Sequence, residues 1–94
     1  MTHAKLIAGL NEFNPKLIHK EHLRADNVVY LRVYFNDDTV LHIDKDYGID
    51  SDPEGNCYIH FCKRDGEYIF GFTDEFSNAV SRLLKKLAKR FAKK

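Results

Sequence analysis

The sequence predicts an α+β fold: a four-stranded antiparallel β-meander packed by a C-terminal amphipathic helix, with one or two short N-terminal helices. Three observations predict it. The middle of the chain alternates apolar and polar residues with period two, in runs separated by Asp-, Asn- and Gly-containing turns. The C-terminal stretch instead spaces its apolar residues by three and four. No linker, repeat or low-complexity segment divides the 94 residues, so they read as a single domain of a size that can bury a core.

The opening segment, 2–13, places Leu6, Ile7, Leu10 and Phe13 at helical spacing, with Thr2 as N-cap and Asn14-Pro15 as the stop. It reads as a helix and not as a signal peptide. Residues 15–24 suggest a second short helix capped by Asn14, although LIHKEHL also tolerates an extended run. Ala25-Asp26-Asn27 reads as a loop.

From Val28 the period changes. Val29, Leu31, Val33 and Phe35 share one face of a strand; Tyr30, Arg32 and Tyr34 share the other. In TVLHID, Leu41 and Ile43 oppose Val40, His42 and Asp44. The two registers agree only if Asn36-Asp37-Asp38 forms a three-residue loop, because a shift by one residue turns a strand inside out. Asp52-Pro53-Glu54-Gly55 is a turn. The next strand alternates Cys57, Ile59 and Phe61 against Tyr58, His60 and Cys62. A tight Asp65-Gly66 turn between Arg64 and Glu67 then pairs Phe61 with Phe70 and Ile59 with Phe72, which directs Tyr68, Phe70 and Phe72 inward and Ile69 outward. Thr73 or Asp74 caps the final helix, whose apolar side is Phe76, Val80, Leu83, Leu84, Leu87 and Phe91.

The net charge of +1 hides a separation. Arg82 to Lys94 carries seven bases and no acid, leaving eight bases and fourteen acids elsewhere. Seven of those acids crowd 36–54 against Lys45 alone. Arg82, Lys85, Lys86, Lys89 and Lys93 form a stripe roughly opposite the apolar side of the helix, with Arg90 beside it, and more bases are present than the helix dipole calls for. They suit an electrostatic partner.

One helix cannot cover both faces of a sheet. The outer face, with Tyr30, Arg32, Tyr34, Val40, His42, Tyr58, His60 and Ile69, must therefore meet water, a partner, or the N-terminal segment packing there through Leu6, Ile7 and Leu10. Tyr and Arg are enriched where proteins dock, and aromatic sheets also stack single-stranded bases.

Other chemistry is weakly signalled. Cys57 and Cys62, five apart on one strand, point to opposite faces and cannot bridge each other, which favours reduced thiols and a cytoplasmic setting and leaves a bridge between two chains as the alternative. Asp50, Asp52, Glu54 and Gly55 fit the first positions of a calcium loop, but Phe61 stands where its closing Glu belongs. His42, His60 and Cys62 share a face, and zinc accepts such ligands, yet their spacing matches no zinc pattern and a fourth ligand is not evident. His19 and His22 are a weaker pair. No phosphate loop, nucleophile elbow or metalloprotease motif occurs, and no apolar run is long enough to span a membrane.

The expectation is thus a non-enzymatic binding protein without cofactor or metal, acting through protein–protein contact as a regulator, inhibitor or adaptor, with homodimerisation open to it. The alternative is a nucleic-acid binder that uses the basic helix and the aromatic face. In either case the candidate residues are Tyr30, Arg32, Tyr34, His42, Tyr58, His60, Arg82, Lys86, Lys89, Arg90 and Lys93.

Overall fold

Leu6 and Leu10, one turn apart and both buried, hold the first helix, α1 (Thr2–Asn11), against the core. The helix unwinds through N–H bonds from Phe13 to the Leu10 carbonyl and from Asn14 to the Asn11 carbonyl, and Asn14 takes a left-handed φ of 53°. Asn tolerates that geometry, which is a common helix stop. Asn14 therefore ends α1 and does not cap a second helix. The computed structural model describes residues 2–23, 28–46 and 56–91, with side chains over 4–19, 31–44 and 56–91.

The second helix expected over 15–24 is replaced by a strand, β1 (Leu17–Leu23). Its backbone pairs with β2 (Val28–Tyr34), starting with a 2.7 Å bond from the Lys16 N–H to the Tyr34 carbonyl. Of its described side chains, only Ile18 packs on the core; Leu17 and His19 are exposed. Three more strands follow: β3 (Thr39–Asp46), β4 (Asn56–Lys63) and β5 (Tyr68–Glu75). The sheet is a five-stranded antiparallel meander in chain order, one strand more than the sequence predicts. The proposed loop at 25–27, the turn at 52–55 and the calcium-loop residues Asp50, Asp52 and Glu54 lie outside the described residues.

Register follows the turns. Leu31 faces Ile43 and Val33 faces Leu41, as a three-residue loop at Asn36–Asp38 requires. Phe35 closes it with a 3.0 Å bond to the Thr39 carbonyl, and Asp38 supplies the left-handed position at φ 66°. The β4–β5 turn departs from expectation. Lys63 bonds the Glu67 carbonyl, so the loop is Arg64-Asp65-Gly66, with Gly66 at φ 101°. The extra loop residue shifts the pairing by one, Cys62 facing Tyr68. A bulge then restores the expected pairs Phe61–Phe70 and Ile59–Phe72.

The last helix, α2 (Phe76–Phe91), starts directly after β5 and buries Phe76, Ala79, Val80, Leu83 and Leu87. Thr73 and Asp74 belong to the strand, but the Asp74 carboxylate still serves the helix start: it accepts the Glu75 N–H at 2.7 Å and Arg82 at 3.0 Å. α1 lies beside α2. Leu6 and Leu10 join Leu83, Leu87 and the inward residues Leu31, Val33, Leu41, Ile43, Ile59 and Phe61 in one core, and Phe13 meets Phe91 at 5.8 Å between ring centres. Both helices therefore cover the same face. The packing of Leu6, Ile7 and Leu10 on the outer face, one of the three options for that face, does not occur.

Candidate functional site

With both helices on one side, no described helix covers the other face of the sheet. Its residues form cross-strand rows because side chains alternate along each strand. One row runs His19, Arg32, His42, His60 and Gly71 across all five strands. A second runs Leu17, Tyr34, Val40, Cys62 and Tyr68. On the other side of the first row, Asp44 faces Tyr58.

The His42 and His60 rings stack at 5.6 Å and 26°, and Tyr68 stacks on His60 at 5.6 Å and 28°. Tyr68 reaches this position because of the bulge: it belongs to the outer face, whereas Ile69 packs on the core. Both assignments reverse the sequence expectation. Strict alternation counts back from Phe70 and has no means of seeing an inserted residue. The Tyr68 ring lies over Gly71, where a Cβ would sit 3.3 Å from the ring.

Leu17 (53% exposed), Tyr58 (43%) and Tyr68 (62%) present apolar surface on both edge strands and between them. Val40 and Cys62, flanked in register by Tyr34 and Tyr68, are buried although they belong to this face. Towards the β1 edge lies a concavity of about 430 Å³ lined by Lys16, Leu17, His19, Arg32, Tyr34 and Arg64. Among the described residues its lining carries cations and no acid, so it suits a carboxylate or phosphate held beside an aromatic ring.

Near the middle of the face, burial and then the neighbouring Arg32 and His60 charges lower the His42 pKa below 6.5, with Asp44 opposing. Burial raises the Asp44 pKa above 3.8, with His42 and Arg32 opposing. One ring nitrogen of His42, one of His60 and the Cys62 sulfur lie within 4.8 Å of one another. Both cysteines are free thiols, Cys57 in the core and Cys62 on the outer face.

Arg32, Tyr34, His42, Tyr58 and His60 thus share one surface. Tyr30 sits on β2 in register with Asp44, and its side chain is not among those described. The helix residues are elsewhere, on the far side of the core, and several hold the fold. Arg82 bonds Asp74 and lies 4.2 Å from the Phe72 ring centre. Lys86 lies 5.1 Å from the Phe70 ring centre. Arg90 pairs with Asp37 at 3.3 Å and lies 5.4 Å from the Phe61 ring centre. Lys89 is exposed, and Lys93 lies outside the described residues. The residues missing from the sequence-based set are Lys16, Leu17, His19, Arg64 and Tyr68. Leu17 and His19 belong to the strand read as a helix and Lys16 immediately precedes it, and the last two depend on the true length of the β4–β5 loop.

Comparison with protein-family models, with curated proteins and with solved structures found no match to this chain. Among the described residues, no helix is long and apolar enough to cross a membrane.

Proposed function

We propose that this protein is a non-enzymatic binding module that docks a protein partner on the open face of its sheet. The observation that carries the reading is the placement of both helices on one side, which leaves Leu17, Tyr58 and Tyr68 exposed on the other. An aromatic cluster flanked by Arg is the usual composition of an interface centre. Lys16, Arg32 and Arg64 around Tyr34 favour a partner surface that offers carboxylates beside apolar groups. The basic stripe on α2 is secondary in this reading, because Arg82, Lys86 and Arg90 already lie over core aromatics or pair with acids of the same chain.

The test compares partner capture from the native host by three proteins: the wild type, Arg32→Glu/Tyr68→Ala, and Lys85→Glu/Lys89→Glu. The partner is then purified and its affinity measured for each. Loss of at least about tenfold in the face variant alone is expected, which corresponds to about 1.4 kcal/mol. A partner that follows the helix variant and ignores the face variant would overturn the reading. Sedimentation of the wild type over a wide concentration range shows whether the partner is a second copy.

A second reading is single-stranded nucleic acid on the same face. It is favoured by one observation: cations and the stacked His42, His60 and Tyr68 rings share a surface, so one strand can meet both without contacting α2. Titration of labelled oligonucleotides from about 50 to about 200 mM salt tests it, since phosphate contacts make affinity fall steeply with salt. Binding that survives Arg32→Glu/Tyr68→Ala would exclude this face as its site.

A further inference from the structure

The outer face brings together three side chains that the sequence places on one face but at no zinc-binding spacing. His42 and His60 are directly opposite each other on β3 and β4, and Cys62 follows His60 on the same face two residues along β4. Paired strands hold the backbones of all three. The two histidine nitrogens and the Cys62 sulfur lie within 4.8 Å of one another.

We propose that His42, His60 and Cys62 form a transition-metal site, with zinc(II) as the ion they fit best. Two imidazoles and one thiol are a borderline-soft donor set, suited to zinc and poorly matched to calcium or magnesium, which take oxygen ligands. Bond lengths of about 2.0–2.3 Å at tetrahedral angles place neighbouring ligand atoms roughly 3.3–3.6 Å apart. The cluster closes from 4.8 Å to that spacing by side-chain rotation, led by the exposed His60. Binding exchanges the thiol proton for the metal, so the Cys62 sulfur binds as thiolate and one proton leaves to solvent. Three protein ligands leave a fourth position open on the solvent side, where water or a donor group from a bound partner completes the tetrahedron. The site does not depend on the docking reading and stands if that reading fails.

The test is titration of the chelator-treated full chain with cobalt(II), then competition with zinc(II). A 1:1 complex is expected, with intense visible bands of tetrahedral cobalt and a near-ultraviolet thiolate-to-cobalt band, at a dissociation constant on the order of 1 μM or tighter. Cys62→Ser should abolish the thiolate band. His60→Ala, which alters an exposed residue, should weaken binding at least about tenfold. His3→Ala, on α1, should leave the spectrum unchanged. Absence of a thiolate band in the wild type, or a band that persists in Cys62→Ser, would overturn the site without relying on any variant that fails to fold. Circular dichroism of each variant separates lost binding from lost structure.

Discussion

Tyr68 and Phe70, two residues apart on β5, project to opposite faces of the sheet: Tyr68 stacks on His60 outside, and Phe70 meets Phe61 inside at 5.0 Å between ring centres. In a regular strand residues two apart share a face. The bulge separates these two, and it follows from the three-residue Arg64-Asp65-Gly66 loop, because a sheet that misses register by one must regain it to keep Phe70 and Phe72 on the core.

The two faces predict unequal costs. Tyr68→Ala should cost below about 1 kcal/mol, since it removes one exposed ring contact. Phe61→Ala removes a fully buried ring and should cost about 3–5 kcal/mol. Urea unfolding of both variants checks this. Equal losses would mean that Tyr68 points inward, as plain alternation expects.

Asp38 holds a left-handed φ of 66° in the β2–β3 loop, and its carbonyl accepts the Arg64 N–H at 2.9 Å. The backbone bond survives substitution, so the side chain alone decides the effect. Asp38→Gly should be neutral or stabilising by up to about 1 kcal/mol, and Asp38→Val destabilising by about 1–2 kcal/mol, because a branched Cβ is costly in that region. The thermal midpoints of the two variants should move apart. A shift of Asp38→Val to higher temperature would contradict the loop geometry.

Gly9 lies on the side of α1 that meets α2: a Cβ there would lie 2.7 and 2.9 Å from the δ carbons of Leu84. Leu84 ends in flexible carbons and is only half-buried, so it can yield to a methyl group but less easily to an isopropyl group. Gly9→Val should destabilise by about 1–3 kcal/mol. Combined with Leu84→Ala, the loss should fall short of the sum by about 0.5 kcal/mol or more, as for residues in contact. Additive losses would place α1 away from α2, and with it the argument that the outer face is open.

How far the sequence was legible follows from these residues. Where a local pattern and its partner strand are both strong, as in Leu31–Ile43 or Phe61–Phe70, alternation and turn chemistry give the pairing directly. β1 was ambiguous because LIHKEHL has little apolar patterning, and its strand character comes from hydrogen bonds to β2 that its own residues do not encode. The candidate face inherits both weaknesses. Arg32, Tyr34, His42, Tyr58 and His60 were found from periodicity, whereas Leu17 and His19 needed β1 and Tyr68 needed the bulge. The side of the sheet that α1 covers was undetermined, since an apolar stripe of Leu6 and Leu10 fits either face equally well.

The last prediction concerns acid. Burial, with help from Arg32 and His60, lowers the His42 pKa below the 6.5 of the unfolded chain, against the pull of Asp44. Well above pH 6.5 the residue is neutral in both states and contributes nothing. As the pH falls below 6.5 the unfolded chain takes up the proton first, so stability drops until the folded value is passed. Asp44 works in the opposite sense. Its folded pKa is raised above 3.8 by burial, so its charged form weakens the fold near neutrality, and that cost is relieved as the pH falls through the folded value towards 3.8. The His42 effect therefore comes first on acidification and the Asp44 effect later. In chelator-containing buffer, urea midpoints of the wild type should fall between about pH 7 and about pH 5.5, and His42→Gln should flatten that fall, since Gln carries no titrating group. Asp44→Asn should be more stable than the wild type at neutral pH only if the amide keeps the contacts of the carboxylate, so the difference between the two proteins should shrink towards acid. An unchanged acid slope in His42→Gln would show that the imidazole is as well solvated in the folded sheet as in the unfolded chain, and would remove the burial argument for the centre of the face.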